Sequence, residues 1–260
     1  LLTVKARNLL ISAETVIYDN LVNPEILEYV PKTARKIYVG KVGGGRQTPQ
    51  AEINRLMIKE GRVGKKVVRL KGGDPFLYGR GGEEAAALRE AGIEFEIVPG
   101  ISSALAVPAY AGIPLTHRTL SKSVAILTGS RAGDGDCPES IAVQAGDAET
   151  IVILMGVSHL REIAADLIKS GRRVNLPVAV IRRGTYGRQK TLTGTLATIA
   201  GKVERENFSA PAVIVIGEVV GLREKLRWFE DKTIAVSDHR FFSEEFEPIS
   251  NRVFGAAVAV

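Results

Sequence analysis

Short runs of β-branched and aromatic residues alternate along this chain with stretches of helical periodicity. TVIY (15–18), KIYVG (36–40) and KVVRL (66–70) each have strand length and composition. Before them, Ala6, Leu9, Leu10 and Ala13 recur at the i, i+3, i+4, i+7 spacing of a half-buried helix. Thr48-Pro49 predicts a second helix start with Pro at the first helical position, and Ile53, Leu56 and Met57 share one face. A third helix over 83–91 stops at Gly92, and FEIV (95–98) is expected as a strand closed by Pro99-Gly100. Strands separated by helices require right-handed crossovers. They therefore predict a mostly parallel sheet covered on both faces.

Residues 112–122 break this pattern, and a second alternating set follows. SVAILTG (123–129), TIVILMG (150–156), PVAVI (177–181), KTLTGTL (190–196) and AVIVIGEVV (212–220) read as strands. A helix carrying Leu160, Ile163, Ala164, Leu167 and Ile168 in register ends at Gly171, and 130–148 reads as a long loop or weak helix. The expectation is an α/β protein of two domains, 1–114 and 115–229, with a tail from 230 to 260. The first sheet should be mostly parallel and the second mixed.

The composition, 45% hydrophobic and 25% charged, is that of a chain able to bury a core. No apolar run approaches the ~18 residues of a membrane span, so no membrane partner is expected. Cys137 is the single cysteine, which excludes an internal disulfide and fits a reducing cytoplasm. His117, His159 and His239 are too scattered for metal-ligand spacing, and no metal is expected. The net charge of +6 suits an anionic partner. Clusters such as Arg182, Arg183 and Arg188 have few of the stacking aromatics that a tracked nucleic-acid strand usually wants, so a compact polycarboxylate fits better than nucleic acid. A merely solvated basic surface is the plainer alternative.

The densest signal is VVRLKGGDPFLYGRGG (67–82). Open α/β sheets bind ligands outside the carboxyl ends of their strands, and glycine there lets backbone touch a ligand. It is neither a GxxxxGK[ST] phosphate loop nor a GxGxxG dinucleotide loop. Taken by itself, the stretch is equally a ligand-contacting loop or a tight turn in which Asp74 caps its own backbone.

VVRLKGGDPFLYGRGGEE, EIVPGISSALAVPAYAGIPLTHR, YDNLVNPEILEYVP, SVAILTG, VILMGV, GTLATIA and PAVIVIGEVVGLREKLRWF occur here in the order they have in one family. Over roughly residues 1–229 the chain resembles the uroporphyrinogen-III C-methyltransferases of the tetrapyrrole methylase superfamily. The resemblance implies two α/β domains with the active site in the cleft between them, and a homodimer. It implies methylation of two ring carbons of uroporphyrinogen III by S-adenosyl-L-methionine to give precorrin-2, towards sirohaem or cobalamin. Eight carboxylates on that substrate account for a basic trough.

By the same resemblance, Gly72, Gly73, Asp74 and Leu77 contact the cofactor. Ser102, Ser103, Met155 and Gly184 complete its pocket, and Pro211, Ala212 and Val213 flank the adenine. Core packing at a strand end is the plain alternative for Met155. Asp19 matches a general base, Lys41 a proton donor and Arg69 a substrate-carboxylate or active-site arginine. Without the family, Asp19 reads as a turn cap, Lys41 as solvated and Arg69 as an ion-pair partner across the sheet.

The family's first strand and GxGPGD loop, which precede LLT in its members, have no counterpart before Leu1. This predicts unpaired strand edges in the first sheet and weakened cofactor binding. Asn20, Val42 and Ser130 stand where the family has Arg, Arg and His. The tail from about 230 is expected to begin a fused uroporphyrinogen-III synthase. A non-catalytic tetrapyrrole-binding module and a methylase of a later corrinoid precursor are the alternative functions.

Overall fold

A computed structural model describes residues 1–40, 48–130, 140–230 and 257–259. The chain divides into two compact units. The first is Leu1–Ser102 with the strand at 257–259, and the second begins at Ser103. The division precedes the sequence break at 112–122 and assigns the helix Ser103–Tyr110 to the second unit.

In the first unit, helix α1 (Val4–Ile11) is capped by the Thr3 hydroxyl, which accepts from the Ala6 N–H. Strands β1 (Thr15–Tyr18), β2 (Arg35–Tyr38) and β3 (Val67–Leu70) follow, with helix α2 (Gln50–Arg62) between β2 and β3. Pro49 is the N-cap of α2, one position outside the expected first helical place. Helix α3 (Gly81–Glu90) begins two residues earlier than read from the sequence. All pairings are parallel, in the order β2-β1-β3-β9, where β9 is Ala257–Ala259. β3 is thus paired on both sides, with β1 and, along Val67–Arg69, with β9.

Alternation along these strands separates two cores. Val16, Val68 and Leu70 pack with Ala6 and Leu10 of α1, and Ile17 and Val67 pack with Ile53, Met57 and Leu88 of α2 and α3. Arg69 falls on the α2/α3 side by the same alternation. FEIV does not form a strand. Ile97 makes an isolated bridge, and Val98 is buried in the α1 core.

The second unit holds α4 (Ser103–Tyr110), β4 (Val124–Thr128), α5 (Ile141–Ala145), β5 (Thr150–Leu154), α6 (Leu160–Lys169), β6 (Pro177–Arg182), β7 (Lys190–Thr195), α7 (Ile199–Arg205), β8 (Ala212–Ile216) and α8 (Arg223–Leu226). Its sheet runs β4-β5-β8-β6-β7 and is mixed, parallel only between β4 and β5. Ile151, Ile153, Val178, Val180, Ile214 and Ile216 face the core built with α6 and α7. Their neighbours Val152, Ala179, Ile181 and Val215 are equally buried on the other face, so the strands read as unbroken apolar runs.

Candidate active site

At the carboxyl ends of β1 and β3 four charges converge. Arg69 is 3% exposed. Its Nε donates to Glu84 Oε1 (3.1 Å) and its Nη2 to Asp19 Oδ2 (3.1 Å). Nη1 donates to the carbonyls of Leu70 (2.8 Å) and Ile17 (3.4 Å). Lys71 Nζ donates to both oxygens of Glu84 at 3.2 Å, and Gln50 Nε2 reaches Oε1 at the same distance. Glu84 is 1% exposed, whereas the Asp19 side chain keeps a quarter of its surface open. Burial, and then the charge of Arg69, push the Lys71 ammonium below the usual lysine range, while Glu84 and Asp19 pull it upward.

This geometry gives Arg69 the ion pair across the sheet of its plainer reading. All three of its nitrogens are engaged inside the protein, so it is built to hold Asp19 in place. Asp19 also accepts the Leu21 N–H at Oδ1 (3.0 Å), the turn-capping bond of its plainer reading. Its other oxygen faces Arg69. Lys41, the expected proton donor, lies outside the described residues.

In the glycine loop, a Cβ on Gly72 would sit 2.8 Å from the Leu21 carbonyl oxygen, and Gly73 has φ +95°. Asp74 accepts from the Phe76 N–H (2.8 Å) and from the Gly100 N–H (2.9 Å). A Cβ on Gly100 would lie 2.1 Å from the Gly73 carbonyl oxygen. The loop after β3 is therefore stitched to the Pro99-Gly100 turn, and Asp74 organises backbone in both. Leu77 is half-buried, Ser102 is buried, and Ser103 opens α4 in the other unit. Arg80, with φ +58°, caps α3 and makes a forked ion pair with Glu83 (2.8 and 2.6 Å).

In the second unit, the sheet register places Leu154 against Val213 and Arg182 against Ala212. Met155, Arg183-Gly184 and Pro211-Ala212 therefore share one sheet end. The Val213 side chain is buried at 5% exposure, which leaves its backbone as the part able to meet a ligand. Gly184 fits because a Cβ would come within 2.4 Å of Val107 of α4. Met155 is 51% exposed with φ +56°, so it does not pack in the core. Arg183 (φ +50°) and Thr185 (φ +70°) share this left-handed backbone. Such conformations cost of order 1–3 kcal/mol for residues other than glycine and gather at ligand sites. An exposed, strained methionine between glycine-close strand ends fits a surface made to receive a small molecule. Among the described residues, no group of His, Cys, Asp and Glu side chains is placed to hold a metal, and no helix is long and apolar enough to cross a membrane.

Glu84 and Lys71 were not singled out from the sequence. The signal was present in VVRL, a fully buried strand that includes an arginine and therefore requires a buried carboxylate opposite.

Residues 1–200 match the family described as Tetrapyrrole (Corrin/Porphyrin) Methylases. The chain is 50% identical over 230 residues to the S-adenosyl-L-methionine-dependent uroporphyrinogen III methyltransferase of Methanosarcina barkeri, covering 87% of this chain and 89% of that one. It is 48% identical over 229 residues to the siroheme synthase of Acinetobacter baylyi, covering 88% of this chain and 50% of that protein. The chain thus spans about half the length of the siroheme synthase it matches. Its fold is similar to the crystal structure of uroporphyrin-III C-methyl transferase from Thermus thermophilus complexed with S-adenyl homocysteine. The TM-score is 0.72 and the identity 37%, over 85% of this chain and 92% of that one.

Proposed function

Because the chain belongs to the tetrapyrrole (corrin/porphyrin) methylase family, we propose that it methylates uroporphyrinogen III at two ring carbons to give precorrin-2. The observation that carries this reading is the likeness to the Methanosarcina methyltransferase along almost all of both chains. S-adenosyl-L-methionine supplies an electrophilic sulfonium methyl. The cofactor contacts assigned by resemblance are Gly72, Gly73, Asp74, Leu77 and Ser102 in the first unit. In the second they are Ser103, Met155, Gly184 and the backbone of Pro211, Ala212 and Val213.

A methylated pyrrole carbon leaves a proton to be removed from the macrocycle. Asp19, partly open and held at both oxygens, is assigned as the base, and Arg69 as the residue that positions it. Lys41 is retained as proton donor. Basic side chains such as Arg183 and Arg188 would meet substrate carboxylates, for which paired N–H donors are suited. A homodimer and a cytoplasmic location go with this reading.

Incubation of the purified full-length protein with S-adenosyl-L-methionine and uroporphyrinogen III, followed by mass analysis, tests the proposal. A product carrying two added methyl groups is expected. No methylated product would end the reading in favour of a binding module, and methylation of a later corrinoid precursor alone would change the substrate.

A further inference from the structure

Two buried charges beside Asp19 have no part in the chemistry assigned so far. Lys71 lies one step beyond the last register pair of β1 and β3, Tyr18–Leu70, which sets it alongside Asp19. Its side chain is 8% exposed and its ammonium is spent on Glu84. Glu84 comes from the first turn of α3, where a carboxylate is also favoured by the helix N-terminus. Arg69, Lys71, Glu84 and Asp19 together balance two cations against two carboxylates.

We propose that Glu84 is a positioning residue for the reaction, holding the Lys71 ammonium and the Nε edge of Arg69 so that Asp19 is met by a single Arg69 nitrogen. The inference rests on the reading of Asp19 as the base. Glu84 takes three of the donors in this network: Arg69 Nε, Lys71 Nζ and Gln50 Nε2. Without its charge, Lys71 is a buried cation short of a partner, a costly state. Asp19 is the remaining carboxylate of the cluster, and its charge already acts on Lys71. The lysine's flexible stem lets it turn to that carboxylate. A carboxylate gripped by both cations accepts a proton less readily. Glu84 thus keeps a neighbouring lysine away from the base without touching substrate.

The test measures steady-state turnover and S-adenosyl-L-methionine affinity for Glu84→Gln, Lys71→Met/Glu84→Gln and Asp19→Asn in the purified full-length protein. Gln keeps the shape of Glu84 and still accepts from Arg69. Glu84→Gln is expected to lower kcat about tenfold or more, with KM and cofactor affinity near wild type. The double variant removes the unpaired cation and is expected to regain about tenfold, a rescue that a merely structural role would not give. Retained turnover in folded Glu84→Gln would overturn the inference. So would a folded double variant no more active than Asp19→Asn, a comparison that stands even where Glu84→Gln alone fails to fold. Full turnover in Asp19→Asn would remove the base assignment itself, and the inference with it.

Discussion

Two buried glutamates stand at opposite ends of one parallel sheet, and their partners differ. Glu60, near the end of α2, receives Arg35 Nη1 (2.7 Å), Lys65 Nζ (3.0 Å) and the Thr15 hydroxyl (3.2 Å) at the amino ends of the strands. Its cations are largely in water, with side chains 59% and 39% exposed. Glu84, at the carboxyl ends, binds cations that are 4% and 8% exposed. The same residue type therefore does two jobs. Glu60 closes the sheet with charges drawn from solvent, and the loss of one partner leaves little stranded. Glu84 stabilises charges that could not be buried without it, next to the one carboxylate of the cluster that is open to a substrate.

The largest effect should come from breaking the dry network. Glu84→Ala strands Arg69 and Lys71, and removal of one partner from a buried pair costs about 3–5 kcal/mol. Chemical denaturation should show a loss in that range. Asp19→Asn should leave the fold intact and lower turnover by at least about 100-fold, within the range typical of general acid–base groups. Calorimetric titration with S-adenosyl-L-methionine should show unchanged affinity. Near-normal turnover would restore Asp19 to a turn cap.

The wet network should yield less. Glu60→Ala leaves the buried Thr15 hydroxyl without its acceptor while both cations return to water. A loss of about 2 kcal/mol is expected from denaturation curves. Its pH dependence sharpens the contrast. Burial would raise the Glu60 carboxyl, but hydrogen bonds from Lys65 and Thr15 and the charges of Lys65 and Arg35 outweigh it and hold it below the ordinary value of 4.5. A lowered folded value means stability present above the unfolded value and lost as pH falls through the folded one. Acid titration of the melting temperature should therefore fall less steeply below pH 4.5 in Glu60→Gln than in wild type. Identical slopes would place the acid-sensitive carboxylate elsewhere.

Much of this arrangement was legible in the sequence. Strand alternation alone sets Asp19 on the face of Thr15 and Ile17, and Arg69 on that of Val67, because the period of a strand is two. The helices follow from Leu, Ile and Ala at helical spacing, and their stops from Gly92 and Gly171, both with positive φ. FEIV misled because strand propensity expresses fit to neighbours, and only Ile97 finds a bridge. Glu83 and Glu84 were indistinguishable as letters, yet one side chain is 55% exposed and the other 1%. The phase of α3 against β3 decides between them. Nothing in the composition marks Met155, Arg183 or Thr185 as left-handed, since tertiary context imposes that conformation.

We propose that the carboxyl end of this sheet serves turnover and the amino end serves the fold. The direct measurement is methylation rate and melting temperature for Glu60→Gln and Glu84→Gln side by side, at a temperature where both are folded. The expected result is a lowered melting temperature with wild-type rate for Glu60→Gln, and a rate at least about tenfold down for Glu84→Gln. Equal rate losses in the two variants, or a loss confined to Glu60→Gln, would contradict it.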